Sequence, residues 1–260
     1  MRIATWNINS VRLRIDSIKK FSQECNPDII LLQETKVENS LFPAEELKNL
    51  GFKYLFFEGQ KSYNGVAILS KIPFEDKFNL IFSEKDDKRH ICVKAYDIEI
   101  HNFYIPAGGE IPDINQNPKF KHKLEYLEQM KQWFLTNRSK DRKMIIAGDL
   151  NIAPHQHDVW SSRALRNEVS HTDIERSIIN DIIRSMDWND IARSNGNNGK
   201  IFSWWSYRNI DWRKTNRGRR LDHIWLSPAI GEQYENFNIF TDSRGWEKAS
   251  DHVPVIVDLK

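Results

Sequence analysis

The 260-residue chain predicts a mixed α/β fold in which sheets form the core and helices cover them. Three observations carry this. Apolar runs of strand length recur, at Ile3-Ala4-Thr5-Trp6, Ile29 to Leu32, Val66 to Leu69 and Ile145 to Ala147. Stretches with apolar residues at helical spacing fall among them. No Pro/Gly/Ser-rich linker divides the chain, so residues 1–260 are expected to form one domain.

Taken in order, Ile3 to Trp6 reads as a short strand. Val11, Ile15, Ile18 and Cys25 then share one helical face, which predicts a helix over 11–25, stopped by Asn26-Pro27. Ile29 to Leu32 and Val66 to Leu69 are strands, and Ile98, Ile100 and Asn102 to Ile105 continue the pattern. Phe120, Leu124, Leu127, Met130 and Phe134 mark a long amphipathic helix. Thr172 and Glu175 form the signature of a capping box, followed by a stripe of Ile178, Ile179, Ile182, Ile183 and Met186. Asn195 to Gly199 reads as a loop. Leu221 to Leu226 and Val253 to Leu259 are late strands, the last alternating Val253, Val255, Val257 and Leu259.

Composition narrows the class. Lys+Arg at 38 against Asp+Glu at 36 leaves a net charge of +2, so a nucleic-acid surface would have to come from local clustering. Cys25 and Cys92 are too few and too far apart for a disulfide framework and suit free thiols in a reducing compartment. The N-terminal MRIATWNINS has no long apolar stretch, so no secretory signal is expected, and no window approaches membrane-spanning length. A cytoplasmic protein, working as a monomer, is expected.

The strands end in an unusual way. Trp6 runs into Asn7 and Asn9, and Leu32 into Gln33 and Glu34. Phe103 leads to Tyr104, and Ile145 to Gly148 to Asp149 and Asn151. Leu221 precedes Asp222, and Asp251-His252 precedes the last strand. Strand ends open on the rim of a sheet, where rigid backbone can bring side chains together. Singly, each has an ordinary reading: Glu34 as a surface carboxylate, Asp149 as an Asx-turn, Asp251-His252 as a loop cap. Together, Glu34, Asp149, Asp222 and Asp251 would repel one another, and a divalent cation relieves that repulsion. Oxygen donors suit Mg²⁺ or Mn²⁺. No zinc pattern is present, and His155-Gln-His157 is more simply a polar loop. The residues alone leave turn caps and a metal-dependent phosphodiesterase centre both open.

Six ordered segments then carry a resemblance: QETK at 33–36, YNGVAILSK at 63–71, GDLNIAP at 148–154, FSWWSYR at 202–208, RRLDHIW at 219–225 and SDHVPV at 250–255. In order and spacing the chain resembles the exonuclease III family of apurinic/apyrimidinic (AP) endonucleases, within the endonuclease/exonuclease/phosphatase superfamily. The resemblance implies a four-layer α/β sandwich, two packed mixed sheets flanked by helices, with its active site at one rim. It implies Glu34 as the principal metal carboxylate with Asn7 and Asp251 near the ion, and Asn9 where some relatives carry an acid. Asp149 would activate water, and Asn151 would hold that acid and the substrate. His252, oriented by Asp222, would bind the scissile phosphate, with Tyr104 beside the leaving group.

The same resemblance implies Mg²⁺-dependent cleavage of double-stranded DNA on the 5′ side of abasic sites, with 3′-end activity, and Mn²⁺ able to substitute. Trp204 and Leu221 would line the pocket for the flipped-out sugar, and Arg12, Tyr63, Lys119 and Arg217 would contact DNA. The segment Arg213 to Arg220 has five basic residues in eight and reads as a phosphate-gripping edge. Ala107 and Glu110 depart from polar and basic positions of relatives, which bears on strand grip. Two other readings remain: the same core acting on lipid, inositol phosphate or RNA, and a non-catalytic nucleic-acid-binding regulator.

Overall fold

The computed structural model describes residues 1–231 and 233–260. Its strands are β1 (Arg2–Asn7), β2 (Ile29–Gln33), β3 (Tyr54–Glu58), β4 (Val66–Ser70), β5 (Asp76–Phe78), β6 (His90–Ala95), β7 (Ile98–Tyr104), β8 (Met144–Asp149), β9 (Asn189–Asp190), β10 (Asp222–Leu226), β11 (Tyr234–Ile239) and β12 (Val255–Leu259). Its helices are α1 (Ile15–Cys25), α2 (Ala44–Asn49), α3 (Pro118–Asn137), α4 (Ser162–Leu165), α5 (Asp173–Ser185) and α6 (Trp212–Thr215).

The strands form two six-stranded sheets with one wiring pattern. The first runs β11-β12-β1-β2-β4-β3, the second β5-β6-β7-β8-β10-β9. Each has a single parallel pair at its centre, β1 with β2 and β7 with β8, and antiparallel neighbours on both sides.

Both faces of each sheet are covered, which explains unbroken apolar runs where a half-exposed strand would alternate. Ile29 and Leu31 point into the layer between the sheets with Ile68, Val93, Ile145, Ile224 and Val257. Ile30 and Leu32 point the other way, to Ile18 and Phe21 of α1. Ile146 and Trp225 likewise meet Leu127 and Met130 of α3 and Ile179 and Ile182 of α5. The order helix, sheet, sheet, helix is the four-layer sandwich. Each fully buried side chain of this size contributes about 1.5–3 kcal/mol by leaving water.

Local chemistry sets the boundaries. Asn117 caps α3 by accepting from the Lys119 N–H, and Pro118 fills the first position, where its missing N–H costs nothing. Thr172 and Glu175 form the predicted capping box of α5. Asn26 ends α1 in the left-handed conformation.

Several expectations need correction. The first helix starts at Ile15, not residue 11. Residues 11–14 form only a turn, closed by the Arg14 N–H on Val11 O, and Arg14 at φ −122° and ψ 26° lies outside the helical region. In α3 the buried stripe includes Lys123 and Tyr126, whereas Leu124 is only half-buried. Residues 195 and 196 belong to a 3₁₀ turn, so the expected 195–199 loop is shorter. β10 and β12 begin at Asp222 and Val255, one and two residues later than the apolar runs.

Candidate active site

The sheet wiring builds the site. The central parallel strands of both sheets finish at one rim, and their antiparallel neighbours start there. In register, Asn7 of β1 lies beside Gln33 of β2, and Tyr104 of β7, Asp149 of β8 and Asp222 of β10 form one row. Asp251 and His252 arrive on the segment entering β12. Gly148 lets the row close. Its φ is 143°, and a Cβ there would stand 1.9 Å from the Phe103 carbonyl oxygen on β7.

These side chains bond to one another. Asn7 donates through Nδ2 to Glu34 Oε1 at 2.9 Å and to Asp149 Oδ2 at 2.8 Å, joining the two sheets. The Tyr104 hydroxyl donates to Glu34 Oε1 at 2.9 Å. Asp149 also accepts from Asn151, from the backbone N–H at 2.9 Å and from Nδ2 at 3.2 Å. His252 Nδ1 meets Asp222 Oδ2 at 2.8 Å, and its Nε2 stands 3.7 Å from Asp149 Oδ2. Ser203 donates to Asp222 Oδ2 at 2.6 Å. Asp251 accepts from Trp204 Nε1 at 2.9 Å and Asn9 Nδ2 at 3.0 Å. The Asn9 N–H donates to Asn7 Oδ1 at 3.1 Å, so all eight catalytic and metal candidates, Asn7, Glu34, Tyr104, Asp149, Asn151, Asp222, Asp251 and His252, fall in one group joined by hydrogen bonds and by the His252–Asp149 ion pair.

Burial and neighbours tune the charges. Burial pushes the Asp149 carboxyl up to about 7, with His252 pulling against it and Asp222 adding to the rise. Burial alone would lower His252, but Asp222 and Asp149 outweigh it and hold the imidazole up to about 10. Burial would raise Glu34, yet Lys36 and the Asn7 amide keep it below the ordinary carboxylate value. Tyr104 is pushed far up by burial and then by Glu34, so it stays a neutral donor.

The substrate candidates divide. Trp204 belongs to the group through Asp251 and packs on the same apolar cluster as buried Leu221, alongside Ala153 and Val159. Arg12, Tyr63, Lys119 and Arg217 are exposed and make no hydrogen bond to the group among the described residues. Arg217 lies over the Trp160 ring. The basic segment is not a uniform edge. Arg220 is fully buried and spans Asp158 and Asp190, its Nε and Nη2 each 2.8 Å from an Asp158 oxygen and its Nη1 2.8 Å from Asp190 Oδ1. Arg193 closes the same network on Asp158. Arg219 is held inward by Val169 O and Ser170. Only Arg213, Lys214 and Arg217 face solvent. His155 and His157 are half-buried, and the His157 N–H donates to His155 Nδ1.

Sequence reasoning assigned no role to several supports. Lys36 pairs with Glu34 Oε2 at 2.7 Å and donates to Asn9 Oδ1; its signal is a base two residues after the acid in QETK. Gln33 is buried beneath Glu34 and bonds Thr5 and Asn102, tying β1 and β2 to β7 across the sheets. Ser203 had no sequence signal. A second acidic and His-bearing cluster, Cys92, Glu99 and His101, lies elsewhere, but its carboxylate is already shared by His101, Arg138 and Arg142.

Comparison with known proteins gives these residues a context. A model of the Endonuclease/Exonuclease/phosphatase family matches residues 4–252. Exodeoxyribonuclease III of Haemophilus influenzae is 29% identical, with 100% of each chain aligned. An AP endonuclease structure from Archaeoglobus fulgidus superposes with a TM-score of 0.94 at 32% identity, over 100% of this chain and 99% of that one. A 3′ phosphatase from Neisseria, solved with a product DNA hairpin, superposes with a TM-score of 0.92 at 28% identity, over 100% and 99% of the two chains. The chain belongs to the endonuclease/exonuclease/phosphatase family, of the exonuclease III type.

Proposed function

We propose that this protein is a Mg²⁺-dependent DNA repair phosphodiesterase that cuts on the 5′ side of abasic sites and also processes 3′ ends. The names of its relatives support the nuclease and its DNA substrate. The observation that carries the chemistry is the charge imbalance at the rim. Among the described residues, four carboxylates, on Glu34, Asp149, Asp222 and Asp251, pair with only two cations, Lys36 and His252.

The donor set fits a hard divalent cation. The unpaired charge is negative, the available atoms are carboxylate and amide oxygens, and no thiolate is near. Glu34 would hold the ion, with Asn7 and Asp251 beside it. When bound, such an ion neutralises the phosphodiester and the departing 3′ oxygen. Mn²⁺ has the same donor preference.

The protein's own groups do the rest. Asp149 takes a proton from the attacking water. Three N–H donors, from Asn7 and Asn151, fix its orientation, and a value near 7 suits a base at neutral pH. His252 stays protonated and grips a phosphate oxygen, while Asp222 accepts a hydrogen bond from its Nδ1–H and sets the ring plane. Tyr104 remains a phenol beside Glu34, placed to donate near the leaving group. Trp204 and Leu221 wall the pocket for the abasic sugar, whose extrusion breaks no base stacking. Arg12, Tyr63, Lys119 and Arg217 are the exposed contacts for the DNA backbone.

A duplex with one abasic analogue, incubated with Mg²⁺ and then with EDTA, tests this. Nicking 5′ to the lesion in Mg²⁺ alone is expected. Tight binding with no cut would instead favour a non-catalytic binder, and neither binding nor cutting a different phosphodiester. A 3′-phosphate-blocked primer reads the end-processing activity.

A further inference from the structure

Lys123 is a lysine with no exposed surface, in the second turn of α3. An ammonium has three protons to give, and all three find oxygens. Nζ lies 2.6 Å from Glu175 Oε1, 2.8 Å from Asn151 O and 3.3 Å from Ala107 O. Each partner sits on a different segment. Glu175 is the carboxylate of the α5 capping box, and it also accepts from the Ser170 N–H at 2.9 Å and the Thr172 hydroxyl at 2.6 Å. Its position is therefore fixed by the helix start before the lysine reaches it.

The other two partners belong to the rim. Asn151 has φ 52°, and its N–H and side-chain amide both hold Asp149. The same side chain donates to Ile105 O at 2.9 Å. Ala107 lies in the turn after Tyr104, where Gly108 has φ 90° and a Cβ would come 2.9 Å from Lys123 Cδ. The turn thus rides directly on the lysine stem. A buried ion pair is seldom a net source of stability, since desolvation offsets its attraction. Stability alone gives little reason to bury this charge under the rim.

We propose that Lys123 is a positioning residue. Anchored by Glu175, its ammonium sets the backbone of Asn151 and of the Ala107 turn, and so aims Asp149 and steadies Tyr104 without touching substrate. The inference rests on the nuclease reading for its kinetic arm only.

Lys123→Met should lower kcat about 10²-fold, the effect of a misplacement near 1 Å, with KM little changed. Phe134→Leu, on the same helix but in the outer core, is the control for lost stability and should keep its kcat at a temperature where both variants are folded. Equal kcat in the two would overturn the inference. Should Lys123→Met not fold, Glu175→Gln keeps an oxygen for the capping box and weakens only the anchor; a smaller fall in kcat is expected, and none would overturn it. Amide exchange needs no substrate. Faster exchange confined to residues 105–109 and 149–152 is expected in these variants, and unchanged exchange there overturns the inference. A wild-type protein that leaves abasic duplexes uncut would sink the nuclease reading, while the exchange result still decides the role of Lys123.

Discussion

Two charge clusters in this molecule set carboxylates against cations to opposite ends. Around Asp158, two carboxylates meet two guanidiniums: Asp158 and Asp190 with Arg193 and Arg220. At the rim, four carboxylates meet one imidazolium and one lysine. The first set is balanced and internally satisfied. Burial would raise Asp158, but Arg220 and Arg193 hold it well below the ordinary carboxylate range. The second is left with negative charge, and burial pushes its central acid up to about 7. Burying ions does not by itself mark a reactive centre; at the proposed one, counter-charge falls short.

The largest test of this contrast is Asp149→Asn. On the role proposed for Asp149, its loss should lower kcat by about 10²–10⁴-fold while DNA affinity is largely kept. Near-normal turnover would mean that the imbalance serves something other than proton transfer. Arg220→Met tests the balanced cluster and should cost stability instead, about 3–5 kcal/mol in urea unfolding, because it strands buried carboxylates. The same variant has a pH signature. A carboxyl whose folded value lies below its ordinary 3.8 contributes stability above that value and loses it as pH falls. Wild type should therefore lose more stability than Arg220→Met between about pH 5 and pH 2; parallel acid limbs would show that Arg220 does not hold Asp158 down. The smallest effect belongs to Arg217→Ala, at the exposed part of the basic segment. It should flatten the dependence of log K on log salt by about 0.9. An unchanged slope would leave that arginine to its contact with Trp160 alone.

Sequence revealed the rim and hid its supports, for a physical reason. Glu34, Asp149 and Asp251-His252 were legible because each follows or precedes an apolar run, and a strand end is a local property of sequence. The row of Tyr104, Asp149 and Asp222 was not, since it depends on register between strands. Arg220 reads as one more base in a basic segment because its acids are 62 and 30 residues away. Lys123 was overlooked since Leu124, one position on, completes an equally good apolar stripe. The edge strand β11 carries no apolar run, its residues being exposed or half-buried, and it exists through pairing with β12.

Gly148 has a consequence for how the rim is spaced. Two strands can approach to ladder spacing there only because one of them lacks a side chain. The spacing of the Tyr104 and Asp149 backbones, on β7 and β8, is thus dictated by main chain and not by side chains packed between them. The seam is a fixed baseline from which the phenol and the acid both project toward the rim.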